Sequence, residues 1–305
     1  MTGAERATAA DTDTAGARAA PPYRRSVWPK ALIAMAHPDD EYALAATVYR
    51  ITREMGGLAD HMVVTNGEGG YRYASLAEAI YGVAITREPD GRANLPEIRR
   101  RETTNAGRIL GIRDHHFLDQ TDSGFAECCS DATWCDWDCE RIRKALADLL
   151  SSEAYDFVFT LLPREEAHGH HRAVARFVLE AVANLAEEER PVVLGVEAGR
   201  TGERPSPFDG LPDEALPKTA RAEPVFSFDR NMRFGHGGAL NYQIIANWVI
   251  SEHKSQGLFQ TDFGRHDAEH FWAFSVSPLA AERATELGRR LCQRDAMPGG
   301  FCSAI

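Results

Sequence analysis

The stretch ALIAMAHPDDEYALAATVY, residues 31–49, joins a short apolar run directly to a cluster of polar residues and then to a helical pattern. The run at residues 31–36 is typical of a buried strand, because it is short and wholly apolar. Leu44 and Val48 lie four residues apart, which is the spacing of neighbours on one face of a helix. The stretch therefore predicts a strand, a loop and a helix, with one histidine and three acidic residues where the strand ends.

The same alternation continues along the chain. Apolar runs predict further strands near residues 61–65, 115–120, 155–163, 191–199 and 270–276. Helical patterns cover residues 41–56, 95–112, 139–153, 172–185, 243–256 and 279–293. Alternating strands and helices favour an α/β fold, in which a mostly parallel sheet carries helices on both of its faces.

Polar segments follow four of the predicted strands. They occupy residues 37–41, 66–70, 119–124 and 164–171. In parallel sheets, ligands bind beyond the carboxyl ends of the strands. We therefore expect the four segments to converge on one rim of the sheet.

The composition of the chain predicts one domain after an N-terminal tail. Its 305 residues are 44% hydrophobic and 26% charged, which are ordinary values for a globular protein. Residues 1–27 lack any apolar run and are expected to be a disordered tail. Residues 28–305 are expected to form a single domain, with a cysteine-rich insertion near 126–139 and an irregular, proline-rich excursion near 199–224.

The net charge of −11 makes some partners poor candidates. No segment interleaves a dense cluster of lysine and arginine with aromatic residues, so we expect no nucleic acid or membrane partner and favour a small-molecule substrate. The pair Arg24 and Arg25 resembles part of a twin-arginine signal, but Pro29 and Lys30 interrupt the apolar run that follows, so cytoplasmic residence is favoured. A homo-oligomer is compatible with the sequence.

Several kinds of site could use polar residues at strand ends. The first turn contains no glycine and three carboxylates, so it does not suit a phosphate or dinucleotide. The chain has no GxSxG segment to supply a serine nucleophile. A water molecule activated by a metal ion therefore remains as the favoured nucleophile.

Catalytic zinc usually has three protein ligands and one open position. His37 and Asp40 can both ligate from one turn, and the segment AHGHHRAVA supplies the third ligand. His168 and His171 are three residues apart at a predicted helix start and so project to one side, while His170 is expected to point away. We assign His171 as the third ligand and leave His168 free near the metal.

Asp39 lies beside a ligand and is not needed as one, so it becomes the candidate general base. Glu41 is expected to favour a helix N-terminus or to orient a ligand. Simpler explanations exist, because acidic residues often cap helices and histidine-rich loops are often merely polar. Two such clusters at strand ends of one predicted sheet nevertheless favour a site.

These residues resemble the signatures of the LmbE-like, or PIG-L, family of zinc-dependent N-acetylglucosaminyl deacetylases. AHPDDE at residues 36–41 matches the first signature of that family, and HGHH at residues 168–171 resembles the second, which is usually HPDH. In the second signature, His170 stands where the family usually has aspartate. Weaker similarities are TNGEGG at residues 65–70, Arg99 with Glu102, DSG at Asp122 and HKSQ at residues 253–256.

The resemblance implies a Rossmann-like fold and the hydrolysis of an acetamide on an amino sugar or sugar conjugate. It implies one catalytic zinc ion, or another divalent metal, on His37, Asp40 and His171. Asp39 would be the general base, and a protonated His168 would be the acid or electrophilic residue. Contacts to the substrate are expected from Glu68, Arg99, Asp122 and Glu166.

Alternatives remain open. The protein could cleave another amide of a sugar or thiol conjugate, or it could be an inactive homologue that binds sugars. Tyr71, Tyr73 and Tyr81 could stack on sugar rings or simply pack within the fold. Whether Cys128, Cys129, Cys135 and Cys139 bind a metal, form disulfides or stay reduced is not decided by their spacing.

Overall fold

Seven strands form one mixed sheet in the computed structural model, which describes residues 29–125, 136–211, 216–262 and 264–293. Five of these strands are parallel, in the spatial order β3-β2-β1-β4-β5. They are β1 (Lys30–Met35), β2 (Leu58–Thr65), β3 (His115–Gln120), β4 (Phe157–Leu161) and β5 (Val192–Gly199). The expected α/β fold with a mostly parallel sheet is therefore confirmed.

The sheet continues beyond β5 with two antiparallel strands. The sequence predicted a strand near residues 270–276 but not the direction of its pairing, and it predicted no strand at residues 226–229. Strand β9 (Ala268–Ala273) pairs antiparallel with β5, and β6 (Phe226–Asp229) pairs antiparallel with β9. The strands β7 (Arg233–Phe234) and β8 (Leu240–Asn241) form a separate small hairpin. An apolar run shows that a strand is buried, but it carries no information on the direction in which the strand pairs.

Helices cover both faces of the sheet. They are α1 (Ala45–Tyr49), α2 (Glu78–Tyr81), α3 (Glu88–Leu110), α4 (Cys139–Glu153), α5 (Gly169–Ala183), α6 (Tyr242–Glu252) and α7 (Ala280–Cys292). Successive residues of β1 belong to different hydrophobic clusters, because side chains alternate between the two faces of a strand. Ile33 packs in the cluster that includes residues of α1, α3 and α6, whereas Leu32 packs in the cluster with α4 and α5.

Some boundaries differ from those expected. Helix α3 begins at Glu88 rather than near residue 95, because Pro89 in its first turn already has a helical φ angle. The described parts of the expected excursion, residues 200–211 and 216–225, contain no helix or strand, only an isolated bridge between Thr219 and Phe274.

Other expectations fall outside the described residues. The predicted tail at residues 1–27 lies there, as do Cys128, Cys129 and Cys135. Within the described ranges, Cys139 and Cys292 are free thiols. No helix in these ranges is both long enough and apolar enough to cross a membrane.

A fully buried ion pair connects β9 to the start of α1. The carboxylate of Glu269 accepts hydrogen bonds from the backbone N–H groups of Ala46 and Thr47, both at 2.9 Å, and from Arg230 Nε at 3.0 Å. The side chains of Arg230 and Glu269 are both wholly inaccessible to solvent. Glu269 thus satisfies amide groups that have no partner within α1, and it neutralises a guanidinium buried beside them.

We expect Glu269→Gln to lower the free energy of unfolding by about 3–5 kcal/mol, because it leaves a buried guanidinium without its counter-ion. Glu286→Gln is the matched control, since Glu286 pairs with Arg289 at the surface of α7 and both side chains are about half exposed. That control should cost at most about 1 kcal/mol. Denaturant unfolding of the two variants checks the prediction, and equal losses would contradict it.

Candidate metal centre and active site

The strand order reverses at β1, because β2 lies on one side of it and β4 on the other. In such sheets, the loops that follow the two strands at the reversal diverge and leave a crevice between them. Residues 36–41 follow β1, and residues 162–168 lead from β4 to α5. The fold therefore brings the two histidine-containing motifs to the same place, as the sequence predicts.

The turn after β1 is organised by the carboxylate of Asp40. Its Oδ2 atom accepts hydrogen bonds from the backbone N–H of Ala36 at 3.0 Å and of His37 at 2.8 Å. The turn holds Asp39 at a φ of 104°, in a left-handed conformation that is uncommon for residues other than glycine. The N–H of Asp39 donates to Glu41 Oε2 at 3.0 Å. Two neighbouring carboxylates thus hold the backbone that carries Asp39.

The three predicted metal ligands are close together. His37 Nδ1 lies 3.1 Å from His171 Nε2, and His171 Nε2 lies 3.1 Å from Asp40 Oδ1. His37 Nδ1 lies 3.6 Å from Asp40 Oδ2. A tetrahedral zinc site with bonds of about 2.0–2.1 Å separates its ligand atoms by about 3.3 Å. The donor types and their spacing therefore fit a divalent metal ion, with at least one coordination position left to a substrate or water.

The charge of Asp40 suits such a role. Burial raises the pKa of this carboxyl group, but His171 and His37 more than offset that effect and hold it well below its usual range. Burial lowers the pKa of His37. Asp40, together with Asp122 and Asp39, raises it by more, so the pKa lies above its usual value. The Asp40 carboxylate is therefore held in the ionised form that a metal ligand requires.

Asp39 is next to the three ligands and has a different partner. Its Oδ2 atom lies 3.0 Å from Arg99, whose guanidinium is almost completely buried. Burial raises the pKa of Asp39 to about 6, although Arg99 acts to lower it. Asp39 is therefore ionised at neutral pH and is a stronger base than an ordinary aspartate.

Arg99 connects the turn after β1 to the turn after β2. Besides Asp39, it donates hydrogen bonds to the carbonyl groups of Pro38 and Gly67. Among the described residues these contacts are all with the chain itself. The expected contact between Arg99 and a substrate stays a prediction. In the structure, Arg99 pairs with the carboxylate of Asp39 and fixes the turn that carries it.

The second motif differs from the sequence-based expectation at His170. This side chain was expected to point away, but it is completely buried in the site, with its Nδ1 atom 3.0 Å from His37 Nε2. The expectation was wrong because His168 is the N-cap of α5, with φ −50° and ψ 133°, so helical spacing does not apply to it. Asp122, His37, His168 and His170 each place one possible ligand atom within 4.8 Å of the others.

His168 is neutral in this environment. Burial, together with His37, His170 and His171, lowers its pKa to about 3. Its Nδ1 atom accepts the backbone N–H of His170 at 3.1 Å, so the single ring proton lies on Nε2. The expected positive charge on His168 is therefore not favoured, whereas a neutral N–H donor is.

The other predicted substrate contacts have different environments. Asp122 is buried and accepts the N–H of Gly124 at 2.9 Å. A Cβ atom at Gly69 would lie 2.7 Å from Asp122 Oδ1, so this approach requires glycine. Glu68 is buried, with Oε2 unpaired among the described residues, and burial raises its pKa. Glu166 is exposed in the turn that precedes His168.

One buried ion pair of the site was not anticipated from the sequence. His253 Nε2 donates to Glu41 Oε1 at 2.6 Å, and both side chains are almost wholly buried. Beside it, Glu102 accepts from the N–H and hydroxyl of Ser255, and Tyr81 donates its hydroxyl proton to Glu102 at 2.7 Å. The HKSQ segment was the available signal, but sequence spacing cannot show which distant carboxylate it contacts.

The pair of Glu41 and His253 predicts a pH-dependent stability. Burial raises the pKa of Glu41, but His253 lowers it further, from an ordinary 4.5 to about 2. A depressed carboxyl pKa contributes stability that is present above pH 4.5 and is lost as the pH falls towards 2. His253 stays protonated in this range, because Glu41 and its neighbours raise its pKa despite burial.

We expect the wild-type protein to lose about 2 kcal/mol more unfolding free energy between pH 5 and pH 3 than a variant that carries both Glu41→Gln and His253→Gln, at roughly 1.4 kcal/mol for each pH unit below the unfolded pKa. The second substitution is needed because a buried histidine without its counter-ion would itself titrate in this range. Denaturant titrations at several pH values measure the difference, and Glu286→Gln, at the surface, should follow the wild type more closely than the double variant does. Parallel pH curves for the wild type and the double variant would contradict the prediction.

Comparison with known proteins agrees with this geometry. Residues 32–182 match the sequence model of the family described as PIG-L, GlcNAc-PI de-N-acetylase. A probable N-acetyl-α-D-glucosaminyl L-malate deacetylase 2 of Bacillus cereus is 26% identical over 165 residues. That alignment covers 54% of this chain and 66% of the relative.

Two solved structures show the same fold. One is the N,N'-diacetylchitobiose deacetylase of Pyrococcus horikoshii complexed with its inhibitor, with a TM-score of 0.51, 18% identity and coverage of 82% of this chain and 86% of that one. The other is the 4-carboxy-2-hydroxymuconate hydratase of Pseudomonas putida KT2440, with a TM-score of 0.50, 16% identity and coverage of 80% and 95%. The region that matches the family model contains both histidine motifs, and residues 32–182 are a domain of the PIG-L, or LmbE-like, family.

Proposed function

We propose that this protein is a metal-dependent hydrolase that removes the N-acetyl group from an amino sugar or sugar conjugate. The observation that carries the proposal is the triad of His37, Asp40 and His171 beside the basic carboxylate of Asp39. The names of the family and of the Bacillus cereus relative support the substrate class. A hydratase has the same fold, so the fold alone does not determine the reaction.

His37, Asp40 and His171 would hold the metal, for which zinc is the proposed ion and other divalent metals are alternatives. Two imidazoles and one carboxylate form a ligand set that is typical of catalytic zinc. Bound there, the ion would supply Lewis-acid chemistry, which polarises an amide carbonyl and lowers the pKa of water.

Asp39 is the proposed general base. Its carboxylate takes a proton from the attacking water as the oxygen of that water bonds to the acetyl carbon. A pKa of about 6 suits this task, because the group is ionised at neutral pH and still accepts a proton readily. The same proton can then pass from Asp39 to the amine nitrogen as its bond to the acetyl carbon breaks, which yields acetate and the free amine.

His168 is the proposed donor to the acetyl oxygen. Its Nε2–H can donate a hydrogen bond as negative charge develops on that oxygen, and a neutral donor suffices for this. Asp122, Glu68 and Glu166 remain proposed contacts for substrate hydroxyls. We assign Arg99 to the positioning and ionisation of Asp39, because its hydrogen bonds fix the turn that carries this residue.

Substitutions at adjacent aspartates should separate metal binding from proton transfer. We expect Asp39→Asn to keep bound zinc and to lose about 10²- to 10⁴-fold in kcat, which is the usual contribution of a general base. We expect Asp40→Asn to lose zinc as well, because it removes a ligand. Elemental analysis of the purified variants and acetate release from a panel of N-acetylated amino sugars and conjugates measure both effects.

Glu286→Gln provides the matched carboxylate-to-amide control, far from the site on the surface of α7. Its zinc content and acetate release should equal those of the wild type. Full activity of Asp39→Asn, or wild-type protein that binds no divalent metal, would contradict the proposed mechanism. Release of an acid other than acetate would favour an amidase that acts on a different conjugate.

We expect Arg99→Gln to shift the acidic limb of the kcat/KM profile to higher pH. The positive charge of Arg99 favours ionised Asp39, so its removal raises the pKa of the base. Arg100→Gln is the control, because Arg100 follows directly in α3 but pairs with Asp119 at the surface. An unchanged limb in a folded Arg99→Gln protein would show that Arg99 does not tune Asp39.

A further inference from the structure

We infer that His170 is a positioning residue that orients the metal ligand His37 and fixes its tautomer. This inference rests on the proposed metal site of His37, Asp40 and His171. It concerns the position at which this chain has histidine where related second motifs usually have aspartate. His170 itself is not a proposed ligand.

The geometry singles out His170 as the partner of His37. His37 has one ring nitrogen, Nδ1, towards the proposed metal ligands and the other, Nε2, towards His170 Nδ1 at 3.0 Å. Asp122 Oδ1 is 4.0 Å from His37 Nε2, which is too long for a hydrogen bond. Among the described residues, His170 Nδ1 is therefore the acceptor that can orient this ring.

The positions of the protons follow from the metal site. If His37 ligates through the lone pair of Nδ1, its neutral ring carries the proton on Nε2. That proton is then donated to Nδ1 of His170, which must be unprotonated. The proton of neutral His170 consequently lies on Nε2, which is 3.1 Å from the hydroxyl oxygen of Ser123. One assignment of tautomers thus satisfies the whole chain from the metal ligand to Ser123.

His170 is held rigidly enough to act in this way. Its side chain is completely buried, and its ring lies 4.9 Å from the ring of Trp137, measured between centroids. The indole N–H of Trp137 donates to the carbonyl of Thr121 at 2.8 Å. The backbone N–H of His170 also donates to His168 Nδ1. Two histidines of the proposed site therefore depend on His170. His37 contacts the side chain of His170, and His168 contacts its backbone N–H.

The same cluster offers a different possibility. His37, Asp122, His168 and His170 could themselves surround a second ion. That arrangement would need the lone pair of His37 Nε2, and His37 would then bridge two ions without any ring proton. The hydrogen-bonded arrangement needs no such deprotonation, so we favour it. The two arrangements differ in the number of zinc ions that each chain binds.

Two substitutions test the role of His170. His170→Phe keeps an aromatic ring beside Trp137 but has no acceptor for His37. His170→Asp restores a carboxylate acceptor, which is the group that commonly orients metal-bound histidine. With zinc alone as the probe, in competition with a chromophoric chelator, we expect His170→Phe to bind about 10- to 100-fold more weakly than the wild type. His170→Asp should stay within a few-fold of it.

Two further measurements complete the test. We expect one zinc ion per wild-type chain, and nitrogen-15 spectra of the zinc-loaded protein should show coupling across the hydrogen bond between His37 Nε2 and His170 Nδ1. Equal zinc affinity in the wild type and a folded His170→Phe, two ions per chain, or absence of the coupling would each overturn the inference. Wild-type protein that binds no zinc would instead contradict the proposed function itself.

Discussion

The carboxylate of Asp40 connects the two halves of the site. One oxygen accepts two amide protons of its own turn after β1, and the other lies 3.1 Å from His171 on α5. The same group therefore fixes the path of the backbone after β1 and the distance between two distant segments of the chain. The conformation of Asp39 and the orientation of His37 both depend on that turn.

Three consecutive acidic residues have three different proton affinities, although they lie in one turn. Asp40 faces two histidines and stays ionised far into acid, and Glu41 pairs with His253 and has a pKa of about 2. At Asp39, burial outweighs the lowering by Arg99, His253 and His37, and the pKa rises to about 6. Divergence of neighbouring pKa values is how active sites assign different tasks to similar groups. Here, the balance between burial and the nearby positive charges around one turn produces that divergence.

The sequence was most informative where local pattern and topology determine the structure. Apolar runs that end in polar clusters predicted the parallel strands and brought His37, Asp40 and His171 together. The orientation of His170 was not predictable in the same way, because it depends on where α5 begins and on the cap formed by His168. The contact between Glu41 and His253 joins residues more than two hundred positions apart. The antiparallel pairing of β9 depends on tertiary packing. No local pattern encodes such contacts.

The family signature ends near residue 182, yet the structural support of the site does not. His253 neutralises Glu41 from beyond that limit, and Glu269 binds the first amide groups of α1 from the last strand of the sheet. The segment that matches the family model is therefore not a module that could be excised or grafted with its structural support intact. Its acidic turn would lose His253 and its first helix would lose Glu269, so a fragment that keeps the support of the site extends at least through β9.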